Sequence, residues 1–398
     1  MKFSTNNIIA HFQPILSADS SDVYSFEVLG RYIDDDGTIQ SLGPFFNDEN
    51  TTDKEALEVD RIVRRYALKK YAEEKRTEYL FINIRLAWLE DFKDKPEELP
   101  TITWAREFGI DPGKIVIEIT EEEFNANDAH INVLSYYKSA GFRIALDDYG
   151  KNASNIDRLA LIQPDIMKIN IDYIHKSEKS FYYREFLRYL TVFAEAVGIE
   201  VLYEGIETQR QLDICMSARG RFYQGFLIAY PQASMTDAVI NTGVFSNSTE
   251  EAYKLLHKEI LQTDLLKNYL DSKVGFFLID NPLFYEQADT KKYLAALCGE
   301  LPEVALRIYL CNELGEQITP NFEWDSGNVT VCDYRGKNWA WRRFFYEALE
   351  AHIAGRKSCL SSAYRDFTTK TRVFTYFYAL TDNIFLFADI NRITFPFK

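Results

Sequence analysis

Short β-branched apolar runs alternate with longer amphipathic stretches through residue 231. The runs are "EYLFINI" (78–84), "KIVIEIT" (114–120), "FRIALDD" (142–148), "PDIMKIN" (164–170) and "IEVLYEG" (199–205). Near-continuous apolarity predicts strands buried on both faces, as in a parallel sheet. Between them, "DAHINVLSYYKSAG", "YYREFLRYLTVFAEAVG" and "RQLDICMSARG" carry helical spacing. Gly141 and Gly198 stand where a helix must release the chain into the next strand. Repeated βα units over this length predict an α/β fold, a TIM-like (β/α)₈ barrel.

The pattern changes after the barrel. "TEEAYKLLHKEILQTDLLKNYLDS" and "NPLFYEQADTKKYLAALCGE" are helical and are expected to connect two domains. Strand patterns return in "VALRIYLCN", "NVTVCDY", "TRVFTYFYAL" and "NIFLFADI", interrupted by the helix "WRRFFYEALEAHIAG". This predicts a small α+β domain. The expected organisation is a barrel over 1–240, a helical connector over 241–300 and a second domain over 301–398.

Composition narrows the classes. The chain has 398 residues, 46% hydrophobic and 26% charged, enough to bury a sizeable core. A net charge of −15 argues against duplex nucleic acid, whose binding relies on Lys and Arg. No apolar stretch has the length of a membrane span, and the N-terminus lacks the apolar segment of a secretory signal. The five cysteines, without CxxC spacing, are expected to be reduced thiols of a cytoplasmic protein.

A barrel gathers function at the C-terminal ends of its strands. Glu27, Asn83, Glu118, Glu121, Asp147, Asp148, Lys168, Glu204 and Glu207 fall at or near such ends. Converging acids need cations, because unpaired buried charge is costly. Oxygen ligands without His or Cys point to Mg²⁺ or Mn²⁺. Adjacent Asp147 and Asp148 suit a pair of metals, Asp147 bridging both and Asp148 binding the second. Lys168 would orient a water, and Arg31 would hold a phosphate oxygen.

These segments resemble the EAL-domain cyclic di-GMP phosphodiesterases. "FEVLGR" resembles the signature that names the family. "QPI" (13–15), "INI", "IEITEEE", "ALDDYG", "PDIMKIN", "YEGIET" and "YQGFLIAYP" resemble its other blocks in order. The resemblance implies hydrolysis of cyclic di-GMP to linear pGpG with two divalent metals per barrel. It implies Glu27, Asn83, Glu118 and Asp147 at the first metal, and Asp147, Asp148 and Glu204 at the second. It gives Lys168 the nucleophilic water, Glu121 a bracing role in the following loop, and Gln13, Arg31, Glu207 and Gln224 the substrate pocket. A homodimer is also implied. The loop "DYGKNASNI" departs from the family pattern, and Asn170 replaces an acid. A weakly catalytic cyclic di-GMP receptor signalling through its second domain is the alternative, and a different dinucleotide is a third reading. The C-terminal part resembles the PAS-like or Cache-like domain of two-domain EAL proteins. That implies an unidentified small ligand, for which Trp339, Trp341, Tyr364 and Asp366 are candidates, although aromatics in a small domain more often fill its core.

Overall fold

The computed structural model describes residues 4–120, 128–149, 156–286, 289–301, 305–325 and 328–391. The chain divides into two compact units, Met1–Tyr253 and Lys254–Lys398. The boundary falls within the helix Thr242–Asp280.

The first unit is built on nine strands: β1 (Ile8–Ser17), β2 (Val23–Ile33), β3 (Ile39–Ser41), β4 (Tyr79–Asn83), β5 (Ile115–Thr120), β6 (Arg143–Tyr149), β7 (Ile166–Ile169), β8 (Glu200–Tyr203) and β9 (Phe222–Tyr223). The sheet order is β1-β9-β8-β7-β6-β5-β4-β2-β3, and β1 also pairs with β2. Eight strands thus close into a barrel, with β3 as a flap on β2. The five apolar runs read from the sequence are β4 to β8.

One strand of the closed barrel departs from the all-parallel expectation. β1 is antiparallel to both its neighbours, β2 and β9. Five residues separate β1 from β2. That suffices for a hairpin, whereas a parallel crossover needs a dozen or more.

Helices cover the outside of the sheet. Asp53–Glu73 opens with a capping box between Thr52 and Glu55. It buries Ala56, Val59, Val63, Ala67 and Tyr71, spaced three or four apart, as one apolar face. Gly141 and Gly198 adopt positive φ after the helices Asp128–Ser139 and Phe181–Ala196, as their spacing predicts.

Inside the barrel, side chains stand in layers. Ile15, Phe81, Val116, Ala145, Ile166, Leu202 and Phe222 form one buried apolar cluster. Successive inward side chains are two residues apart on a strand. Two positions onward from these residues lie Asn83, Glu118, Asp147, Lys168, Glu204 and Gln224. On reversed β1, Gln13 precedes Ile15 by the same step. Glu27 faces Gln13 across the β1–β2 ladder. An apolar plug therefore supports a polar layer at the C-terminal ends.

The second unit carries an antiparallel sheet ordered β12-β11-β10-β16-β15-β13, with β14 on β15. Its strands are β10 (Ala305–Asn312), β11 (Asn321–Asp325), β12 (Asn328–Cys332), β13 (Ser358–Leu360), β14 (Tyr364–Arg365), β15 (Arg372–Ala379) and β16 (Ile384–Asn391). Alternation divides its core. Leu386, Ala388 and Ile390 pack with Leu270, Phe277, Leu294 and Leu297. Phe385 and Phe387 pack with Phe344, Phe345 and Ala348 of the helix Arg343–Ile353. Residues 254–300, within the expected connector, thus contribute side chains to this unit's core. All five cysteines are free. Among the described residues no helix is long and apolar enough to cross a membrane.

Candidate active site

Lys168 stands at the centre of the polar layer and is 1% exposed. Its Nζ lies 2.8 Å from Glu118, 3.1 Å from Asp147, 3.2 Å from Glu204 and 3.4 Å from Glu27. These acids come from β5, β6, the end of β8 and β2, so closure of the barrel is what assembles them. Burial opposes the ammonium charge, but the four carboxylates outweigh it and hold the Lys168 pKa well above its ordinary value.

Amides complete the ring. Asn83 Nδ2 donates to Glu118 at 2.9 Å and to Glu27 at 3.4 Å. Gln224 Nε2 donates to Glu27 at 2.6 Å and to Gln13 at 3.2 Å. Gln13 in turn donates to the carbonyl of Ala229 at 3.0 Å.

Asp147 and Asp148 meet the site through a break in β6. Neighbouring residues of a regular strand point to opposite faces. Here the β6–β7 register shifts between Leu146 and Tyr149, and Asp148 has φ 55°. Asp tolerates this left-handed conformation better than most residues. A carboxylate oxygen from each of Asp147, Asp148 and Glu204 consequently lies within 4.8 Å of the others. Asn170 Nδ2 donates to Asp148 Oδ1 at 2.6 Å while its own oxygen accepts from the amide of Asp172. The substituted amide therefore joins Asp148 to the start of the helix Ile171–Lys179.

The charges do not balance. Glu27, Glu118, Asp147, Asp148 and Glu204 face one lysine, leaving four negative charges if all ionise. Burial first, then the neighbouring acids, raise the pKa of Glu118 and Asp147. The same causes push Glu204 up to about 8. Two divalent cations would neutralise the set, and its oxygen donors suit hard ions. The residues present fit such metals.

Two clefts open beside this layer. One, about 140 Å³, is lined by Gln13, Glu27, Glu204, Glu207 and Gln224. The other, about 420 Å³, is lined by Arg31, Asn83, Glu118 and Asp148. The second also exposes Arg85, Trp88 and Phe46, which the sequence reading did not select. Arg85 stacks over Trp88 at 5.2 Å and donates to the Phe46 carbonyl. Its only sequence signal was a cation two residues beyond Asn83. Glu121 and the loop 150–155 lie outside the described residues.

The EAL domain matches residues 1–231, and an EAL-domain associated signalling protein domain matches residues 257–397. The chain belongs to the EAL-domain family. The EAL-domain containing protein YkuI of Bacillus subtilis is 30% identical over 410 residues, covering 97% of this chain and 94% of YkuI. The crystal structure of YkuI in complex with substrate c-di-GMP and calcium matches with a TM-score of 0.87 at 28% identity, covering 98% of each chain. Probable cyclic di-GMP phosphodiesterase PdeA of Escherichia coli is 33% identical over 129 residues, which span 32% of this chain and 18% of PdeA. The EAL barrel here is thus accompanied by the same second domain type along the whole length shared with YkuI.

Proposed function

We propose that the chain is a metal-dependent phosphodiesterase that hydrolyses cyclic di-GMP to linear pGpG, regulated by its C-terminal domain. The observation that carries this reading is the ring of acids around Lys168, with oxygens of Asp147, Asp148 and Glu204 within 4.8 Å of one another. The YkuI structure holding c-di-GMP and calcium supports the ligand, and the description of PdeA supports the reaction.

Glu27, Asn83, Glu118 and Asp147 would hold one Mg²⁺ or Mn²⁺. Asp147, Asp148 and Glu204 would hold the other. Such ions supply Lewis acidity at the phosphodiester. Lys168 Nζ, held among these carboxylates, would orient the attacking water through a hydrogen bond. The water oxygen forms a new bond to phosphorus and the P–O3′ bond breaks; overall, one proton of that water ends on O3′, which leaves as the alcohol, and the other passes from the new phosphate to solvent. Gln13, Arg31, Glu207 and Gln224 line the clefts where the nucleotide would lie.

Glu27→Ala and Asp147→Asn test the assignment. Each is expected to reduce pGpG formation at least about 100-fold while circular dichroism stays that of the parent. Parental turnover in both variants would refute the two-metal site. Tight cyclic di-GMP binding by the parent without pGpG would transfer the reading to a receptor.

A further inference from the structure

The second unit contains a pocket that the barrel chemistry does not use. Strand register builds its floor: Arg307 of β10 and Thr375 of β15 both lie opposite Asp389 of β16. Arg307 donates to Asp389 Oδ2 at 2.6 Å and to Asp366 Oδ1. The other oxygen of Asp366 accepts from the amides of Thr368 and Thr369 and from the Thr369 hydroxyl. Asp389 Oδ1 accepts from Thr375 at 2.8 Å and from the Tyr364 hydroxyl at 3.2 Å. This buried cluster is satisfied internally and carries one net negative charge.

Arg342, on the same pocket wall, is the contrast. Its guanidinium lies 4.4 Å from the Phe367 ring centroid, 4.9 Å from that of Tyr364 and 5.6 Å from that of Phe344. It makes no hydrogen bond or ion pair with any described residue. Aromatic stacking holds the guanidinium plane and leaves its N–H edges available to an acceptor. The helix Arg343–Ile353 starts at the same place, and its N-cap, Arg342, makes no side-chain cap. The amides of Arg343 and Phe344 find no acceptor among the described residues. A helix start adds a second positive feature to the guanidinium.

We propose that this pocket binds a small organic carboxylate, with its anion on Arg342 and its apolar part against Trp339, Phe344 and Phe367. A carboxylate matches the planar guanidinium fork. A single negative charge suits one free guanidinium, whereas a phosphate dianion would crowd the negative Arg307–Asp366–Asp389 cluster. The cavity, about 70 Å³, sets a small size.

Isothermal titration calorimetry on the full chain tests this with acetate, propionate and phenylacetate, with glycine, alanine and phenylalanine, and with inorganic phosphate. Saturable binding of at least one carboxylate is expected, weakened about ten- to a hundred-fold in Arg342→Gln. Phe367→Ala, which alters an exposed wall of the pocket, should weaken the same ligand while leaving the fold intact. Preference for the acids bearing an ammonium or for those lacking it identifies the ligand series, and either preference supports the proposal. No binding by any carboxylate, binding of phosphate alone, or unchanged affinity in folded Arg342→Gln would overturn it.

Discussion

Lys168 supplies positive charge at the centre of the acidic rim. Among the described residues it is the one cation close to four carboxylates, all within 3.4 Å of its Nζ, and a buried apolar layer lies beneath them. Lys168→Met leaves those acids uncompensated. In EDTA it should cost about 3–5 kcal/mol in urea unfolding, the usual penalty for breaking a buried pair. Saturating Mn²⁺ should shrink that loss, because the cations would replace the missing charge. An equal loss with and without metal would show that Lys168 serves packing alone. A pH dependence follows from Glu204, whose carboxyl is raised from 4.5 to about 8. The folded state holds this proton more tightly than the unfolded chain. Its stabilising contribution is therefore full below pH 4.5 and is lost as pH rises through about 8. The metal-free protein should lose thermal stability across that window, and the gain in melting temperature on adding Mn²⁺ should grow across it. A metal-induced gain independent of pH would contradict the electrostatic account.

Among the elements, β6 and the turn after β9 shape the site most directly. The β6 irregularity turns two adjacent acids toward one rim, which no regular strand can do. The sequence displayed the acids but not the bulge, since a left-handed Asp leaves no compositional mark. The strand ends were legible because a short apolar run closing on one polar residue states both burial and rim position. The antiparallel β1 was less legible: its hairpin with β2 is local, but its pairing with β9 arises only when the barrel closes. Asn170 was visible as a substitution, but its bond to Asp148 was not, because the two are joined across neighbouring strand ends. Gly225 tests the second element. A Cβ there would lie 2.0 Å from the carbonyl oxygen of Ile206 and 2.2 Å from its nitrogen. The same backbone carries the hydrogen bond from Ile206 N to the Gln224 carbonyl. Gly225→Ala should therefore destabilise by about 2 kcal/mol or more and lower turnover together with it. Unchanged melting temperature and turnover would show that this close approach is dispensable.

At the scale of the whole molecule, two compact units divide the chemistry. The barrel concentrates acids where its strands end. The second unit builds a satisfied acidic cluster beside the Arg342 guanidinium, which has no hydrogen-bond or ion-pair partner among the described residues. The difference is one of balance: at the barrel rim five acids face one lysine, while in the second pocket the Arg342 guanidinium has no such partner among the described residues. A second, α+β domain was legible from the change of pattern after residue 231, because long amphipathic helices end the βα alternation and strand runs return only from about residue 303. The floor of the second pocket was not, since Arg307 and Asp389 are 82 residues apart and meet only through strand register.

The most direct test of the central claim is chromatography of the products after the full chain is incubated with cyclic di-GMP, with Mn²⁺ or with EDTA. The account predicts pGpG in Mn²⁺, none in EDTA, and none from Asp148→Ala in Mn²⁺. Equal pGpG in EDTA, or intact cyclic di-GMP after incubation with folded protein and Mn²⁺, would contradict it.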